Sequence, residues 1–411
     1  MRRQSADQVM ISKILLLSFY FPPDLSAGSF RAGALVKALR EELGPHVEIE
    51  IITTQPNRYH SFTANAVSVE RSENLTIRRI QIPAHRSGIK DQTWAFACFA
   101  INTLKLTYGK RYDLVFSTSS RLMTASLGAL ISKRSRCALY LDIRDIFVDT
   151  VRDLLPTRWG RLAASIFSPL ERWTINTAVR VNLISPGFLP YFATRYPGRS
   201  FAFYTNGVDE LFIKNPSTQL VSLPESSPSR LKIVYAGNIG AGQGLHRIIP
   251  QLAQRLGDRA EFHLIGAGSA LSTLMRALED AGISNVRIST PMKRDQLLRV
   301  YQEADVLFLH LNDQKAFRRV LPSKLFEYAA TNKPIWGGLS GYANRFAKKR
   351  IKNVALFSPC DAESAITALK GLKLHNTSRL EFVAEFSRST IKKKMAQDII
   401  KSSKSKTNTL F

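Results

Sequence analysis

The run "RRVLPSKLFE" sets Arg318, Arg319 and Lys324 just ahead of a lone carboxylate, Glu327. Pro322 and Ser323 read as a helix start, which puts Lys324 in the first helical turn. A cation there faces the positive end of the helix dipole and is mildly disfavoured. A diphosphate would resolve the conflict. Helix N–H groups, Lys324 and Arg318 or Arg319 would all point at it, and Glu327, one turn on, would accept hydroxyls from a ribose or sugar. On that reading, removing Lys324 leaves the empty protein unchanged or slightly more stable. A solvated basic face is the alternative.

Three further stretches carry chemistry. "GNIGAGQGL", from Gly237, follows an apolar run. Gly237, Asn238 and Gly240 there suit a turn whose backbone N–H groups approach a phosphate, with a helix N-terminus behind it. It is neither the dinucleotide fingerprint nor a P-loop, and a plain tight turn is the other reading. "PPDLSAGSFRAGALVKAL" holds the equivalent turn of the first half, with Gly28, Ser29 and Arg31 at a helix start; Arg31 is a ligand contact or a solvated arginine. "LDIRDIFVD" ends a strand with Asp142, Arg144 and Asp145. These form either a structural ion pair or an acceptor site in which Asp145 orients or deprotonates a hydroxyl and Arg144 holds an anion.

The elements that position these residues alternate. "KILLLSFYF", "VEIEIITT", "LTIRRIQI", "DLVFSTS", "CALYLDIRD", "RVNLIS" and "FAFYTN" read as strands with helical runs between many of them. The Pro/Ser-rich "NPSTQLVSLPESSPSR" breaks the pattern. It restarts with "LKIVYAGNIG", "EFHLIGAGS", "NVRIST", "DVLFLHL", "KPIWGG" and "VALFS". The fold class is therefore α/β, with two doubly wound Rossmann-like domains. Residues 1–210 form the first, 211–230 the linker, 231–385 the second, and 386–411 a helix with a basic tail. In such sheets ligands bind beyond the carboxyl ends of the strands, here in an interdomain cleft.

Lys and Arg number 58 against 32 Asp and Glu, a formal net charge of +26. That surface attracts polyanions: nucleic acid, anionic lipid or phosphorylated substrates. Seven scattered histidines show no metal-binding spacing, and no G-x-S-x-G or Cys/His pattern suggests a hydrolase nucleophile. No metal or other cofactor is expected. Three distant cysteines fit a reducing cytoplasm. The N-terminal run lacks a signal-peptide cleavage site, and "WAFACFAINTLKL" is too short to span a bilayer. With the following "TYGKRY", that segment offers aromatics and cations for docking on an anionic membrane, or it is an ordinary core helix.

"TNGVDELF", "VYAGNIGAGQGL", "FHLIGAGS", "YQEADVLFLHL" and "LPSKLFEYAATNKPIWGG" occur in the order seen in GT-B retaining glycosyltransferases of family 4, the group 1 type, which this chain resembles. "LDIRD" and "LISPGF" resemble the subgroup that builds bacterial surface polysaccharides, including amino-sugar transferases, so that a hexosyl- or an N-acetylhexosaminyl-transferase is implied. The resemblance implies a GT-B fold with a C-terminal helix crossing back to the first domain. It implies sugar transfer from a nucleoside diphosphate sugar, UDP favoured over GDP, to a saccharide on a polyprenyl diphosphate. The enzyme would be cytoplasmic and peripheral to the membrane, with no nucleic acid partner expected. Glu327 would bind the ribose. Gly28, Gly237, Asn238, Gly240, Gly266, Pro291, Met292, Arg318, Arg319, Lys324 and Leu325 would contact the nucleotide sugar. Ser29, Arg31, Arg144 and Asp145 would contact the acceptor, and Asp145, Lys324 and Glu327 would be catalytic. The chain departs from the pattern at Arg319, where the first of two glutamates usually stands, and lacks the usual Arg and Lys in the glycine turn. A UDP-sugar epimerase and a non-enzymatic basic scaffold or nucleic-acid binder are the other classes open to this sequence.

Overall fold

Apolar runs too short to be helices become the central strands of two sheets. The computed structural model describes residues 11–24, 26–57, 66–83, 89–119, 122–154, 157–214 and 230–404. These fall into two compact units, one made of Met1–Thr205 with Ile391–Phe411, the other of Asn206–Thr390.

The first unit contains β1 (Lys13–Leu17), β2 (Glu48–Thr54), β3 (Val69–Ser72), β4 (Leu75–Ile80) and β5 (Leu114–Thr118). It continues with β6 (Ala138–Ile143), β7 (Arg180–Leu183) and β8 (Phe201–Ala202). Their order is β3-β4-β2-β1-β5-β6-β7-β8. All neighbours are parallel except the hairpin β3-β4. β1, β5 and β6 are almost wholly buried, as expected of parallel strands covered on both faces. The helix Arg388–Lys404 returns to this unit: Met395, Ala396 and Ile399 join the core of β1, β2 and the helix Ala27–Leu43. Tyr140 Oη donates to Asp398 at 2.9 Å, and Arg180 pairs with the same carboxylate.

The second unit contains β9 (Leu231–Ala236), β10 (Ala260–Ile265), β11 (Val286–Ser289), β12 (Val306–His310), β13 (Ile335–Gly338) and β14 (Val354–Phe357). They form an all-parallel sheet, β11-β10-β9-β12-β13-β14. One core lies on each sheet face, one centred on Tyr328, Phe326 and Leu309, the other on Trp336, Phe308 and Phe262. Most of the Pro/Ser-rich run, residues 215–229, lies outside the described residues. Glu210–Lys214, which straddles the expected linker boundary, is a short helix whose Phe212 is buried in the second unit's core.

Candidate functional site

The helix Ser323–Ala330 follows β12 and precedes β13. Its entry is fixed by Pro322, extended at the N-cap, and the chain leaves it through Asn332, left-handed at φ 61°. Tyr328 anchors it to the end of β9, where the Ala236 N–H donates to Tyr328 Oη at 3.0 Å. Lys324 Nζ lies 2.7 Å from Glu327 Oε2 and 3.3 Å from Tyr301 Oη. Glu327 is buried, its side chain only 9% exposed. Burial opposes its charge, yet the Lys324 ammonium holds it below the usual carboxylate range. Burial likewise opposes the lysine charge, and Glu327 outweighs that to raise Lys324 above its ordinary value. The expectation that Lys324 is structurally dispensable is therefore corrected. Its charge compensates a carboxylate one turn on, whatever the helix dipole prefers.

Two cations that sequence reading passed over complete this environment. Arg294 pairs with Asp209 at 2.6 Å, and Arg388 binds the same carboxylate. Both arginines add to the depression of Glu327. Asp209 and Arg388 are 179 residues apart, so only the fold reveals the cluster.

The glycine turn after β9 is shaped by close approach. A Cβ on Gly266 would overlap the Gly237 carbonyl, and one on Gly240 would crowd Asn238 Nδ2. Much of its backbone is engaged internally: Gly237 N–H donates to Ile265 O, Ile239 N–H to Ala267 O, and Gly240 N–H to Gln243 Oε1. Asn238 Nδ2 also donates to Gln243 Oε1, at 2.7 Å. The turn is clamped from β12 as well. Asn312 donates through its backbone to Gly242 O and through Nδ2 to Ala241 O, and His310 Nδ1–H donates to Gln243 O at 2.6 Å. His310 Nε2 accepts from the Cys360 N–H, which fixes that tautomer.

Arg318 is exposed and pairs with Asp313 at 3.1 Å; Arg319 is half-buried beside it. Pro291 is half-buried, and Met292 packs against the core. Leu325 is fully buried in that core, so its side chain is structural rather than a nucleotide contact, a correction to the expected set.

In the first unit, Arg31 is 3% exposed and grips Asp142 with two bonds of 2.7 Å, while also donating to Tyr204 O and Thr205 O. Burial would raise the Asp142 pKa; the Arg31 guanidinium instead holds it at about 2. Both expectations for Arg31, an acceptor contact and a solvated arginine, give way to a buried ion pair with Asp142. Ser29 is likewise fully buried, its Oγ without a hydrogen-bond partner among the described residues, and is no surface contact. Arg144 lies so close to Gly28 that any Cβ there would overlap its guanidinium. Asp145 is exposed at the end of β6. It lines a small cavity with Ser119, Phe147, Thr174 and Glu171. Burial raises Glu171, whose carboxyl accepts the hydroxyls of Tyr191 and Tyr196.

The sequence matches no protein-family model. It is 25% identical over 333 residues to an Escherichia coli (strain K12) protein assigned by name as the colanic acid biosynthesis glycosyl transferase WcaI. The match covers 76% of this chain and 80% of that one. Among solved structures, the lipopolysaccharide outer core galactosyltransferase WaaB matches with a TM-score of 0.58 at 15% identity, over 95% of this chain and 99% of that one. Anabaena Alr3699/HepE in complex with UDP-glucose matches with a TM-score of 0.58 at 14% identity, over 97% of this chain and 99% of that one. These likenesses bear out the GT-B fold.

Proposed function

From a chain with the GT-B fold and sequence similarity to a bacterial glycosyl transferase, we propose a retaining glycosyltransferase of cell-surface polysaccharide synthesis. It takes its sugar from a nucleoside diphosphate sugar, UDP before GDP, and delivers it to a lipid-linked saccharide at the membrane. The choice of UDP draws support from the UDP-glucose bound in a protein of the same fold.

The observation that carries this reading is the Lys324–Glu327 pair on a short helix tied to the end of β9. Glu327 is held ionised by Lys324 and accepts hydroxyl hydrogens from a ribose. Lys324, a quarter exposed and donating to Glu327 and Tyr301, keeps its third N–H for a diphosphate oxygen, with Arg318 and Arg319 a few residues ahead of it in the chain. Expelling a diphosphate places negative charge on the leaving oxygen while the sugar becomes cationic. Fixed cations lower that barrier because they need no rearrangement when the bond breaks. The leaving phosphate takes the acceptor proton, and Asp145 orients the acceptor hydroxyl.

Calorimetry with UDP, UMP and uridine, and with the GDP series, tests the assignment. Lys324→Ala should weaken UDP by about 1.5–3 kcal/mol, the range for a charged hydrogen bond, and uridine by less, since Arg294 and Arg388 still favour the Glu327 carboxylate. It should also destabilise the empty protein by about 1–3 kcal/mol, because Glu327 loses its partner. Glu327→Gln should weaken all three ligands. Unchanged UDP affinity in both variants, or conversion of a donor sugar to its epimer without acceptor, overturns the proposal.

A further inference from the structure

Three helices of the first unit pack side by side: Ile89–Thr107, Leu122–Ser135 and Thr157–Thr177. Their outer surface carries a concentration of exposed apolar groups. Trp94, Ile101 and Tyr108 lie seven residues apart along and just beyond the first helix. Leu130 lies on the second, and Trp159, Leu162, Ile166 and Trp173 on the third. Of the four tryptophans in the chain, Trp336 is fully buried; the other three are on this layer, with Trp94 61% and Trp159 66% exposed. Folding normally buries tryptophan, and water-exposed tryptophans sharing one layer mark a surface with another use.

The third helix is the most ordered of the three in pattern. At about 100° per residue, its four exposed apolar side chains fall within an arc of about 60°. They extend about 21 Å along the axis, with a tryptophan at each end. Arg158, Arg161 and Arg172, all exposed, fill the adjoining strip. The helix's one carboxylate, Glu171, faces inward and accepts from Tyr191 and Tyr196. We propose that this face, led by Thr157–Thr177, docks on an anionic phospholipid membrane, with the apolar strip entering the headgroup boundary and the arginines on lipid phosphates.

The charge pattern selects this occupant. A second copy of the chain would bring the same three arginines to a two-fold contact, setting like charges against each other. A lipid headgroup layer supplies the complementary sign, and tryptophan prefers that interface. The inference deepens the membrane part of the proposed function but makes no use of the nucleotide site. It also moves the leading contact away from the Trp94 segment singled out in the sequence, to a helix with clearer segregation.

The experiment is cosedimentation of the full chain with phosphatidylglycerol-containing vesicles and with phosphatidylcholine vesicles, at low and high salt. The variants are W159S/I166S/W173S, R158E/R161E/R172E and W94S/I101S/Y108S. Wild type should bind the anionic vesicles, release at high salt and shift its tryptophan emission to the blue on binding. Both variants of the third helix should lose about tenfold or more in partitioning. Their UDP affinity and melting temperature should stay at wild-type values. Failure of wild type to bind anionic vesicles at low salt overturns the proposal, as does loss confined to the Trp94 variant. A wild-type dimer in sedimentation that W159S/I166S/W173S dissociates overturns it too, in favour of self-association. Vesicle binding with no UDP binding would defeat the donor assignment and leave this inference standing.

Discussion

At the scale of single residues, the Arg31–Asp142 pair shows how burial turns a candidate ligand contact into structure. Asp142 accepts two bonds from Arg31 and a third from Asn182, all at 2.7 Å. Its folded pKa of about 2 lies below the ordinary 3.8, so the folded state releases the proton more readily than the unfolded chain. The resulting stability is fully present above pH ~4 and disappears as pH falls towards 2, roughly 2–3 kcal/mol in all. Arg31→Met should therefore cost about 3–5 kcal/mol at neutral pH, since it leaves a buried carboxylate without its main partner. It should also remove this acid-side loss. Denaturant titrations at pH 3 and pH 7 check both, and a variant as stable as wild type at pH 7 would return Arg31 to the list of ligand contacts. Neither sequence reading of Arg31, ligand contact or solvated arginine, anticipated the buried ion pair. Its partner stands 111 residues away, and both readings call for a cation at a helix start.

At the scale of elements, the strand assignments were legible because parallel strands buried on both faces read as unbroken apolar runs. β3, "VERS", escaped because all four of its residues are exposed and it pairs only as an edge hairpin. The glycine turn was legible as a turn but not as a clamp, because its restraints come from β12, more than sixty residues on. His310 is the central restraint. Its ring bridges Gln243 O and the Cys360 N–H, fully buried between Phe308 and Phe357. Gly338 is glycine because a Cβ there would overlap this ring. Burial pushes His310 down to about 4, so it stays neutral in the folded protein. The unfolded chain takes up its proton near 6.5, so the stability tied to neutral His310 is complete above that pH. It declines as pH falls from 6.5 to 4, by roughly 3 kcal/mol. His310→Phe, which keeps the stacking and removes both hydrogen bonds, should flatten this decline. It should also weaken UDP binding if the turn contributes to the site. Urea midpoints at pH 5 and pH 7.5 read the first effect, and a slope identical to wild type would assign the acid sensitivity to other groups.

At the scale of the whole molecule, the distant part of the chain that completes the first unit is the helix Arg388–Lys404. Its apolar residues Met395, Ala396 and Ile399 are fully buried against β1, β2 and the helix Ala27–Leu43. Lys392 is fully buried as well and lowers the Asp142 pKa alongside Arg31. Tyr140, in the middle of β6, loses its hydroxyl partner if Asp398 is removed. The sequence announced a terminal amphipathic helix, but three consecutive lysines at 392–394 disguise its buried face, since lysine rarely goes fully inside without compensation. Truncation after Thr390 keeps Arg388 and its pairing with Asp209, and so spares the second unit while opening the core of the first. Burying three such side chains stabilises by about 1.5–3 kcal/mol for each of the larger two and less for the alanine, enough to consume much of a domain's stability. Hydrogen exchange should then show β1, β2 and β6 losing protection by orders of magnitude while β9, β10 and β12 keep theirs, and UDP affinity should survive. Equal loss of protection in both sheets would mean that the terminal helix supports the second unit as well, and that the two units share a stability that their separate cores do not suggest.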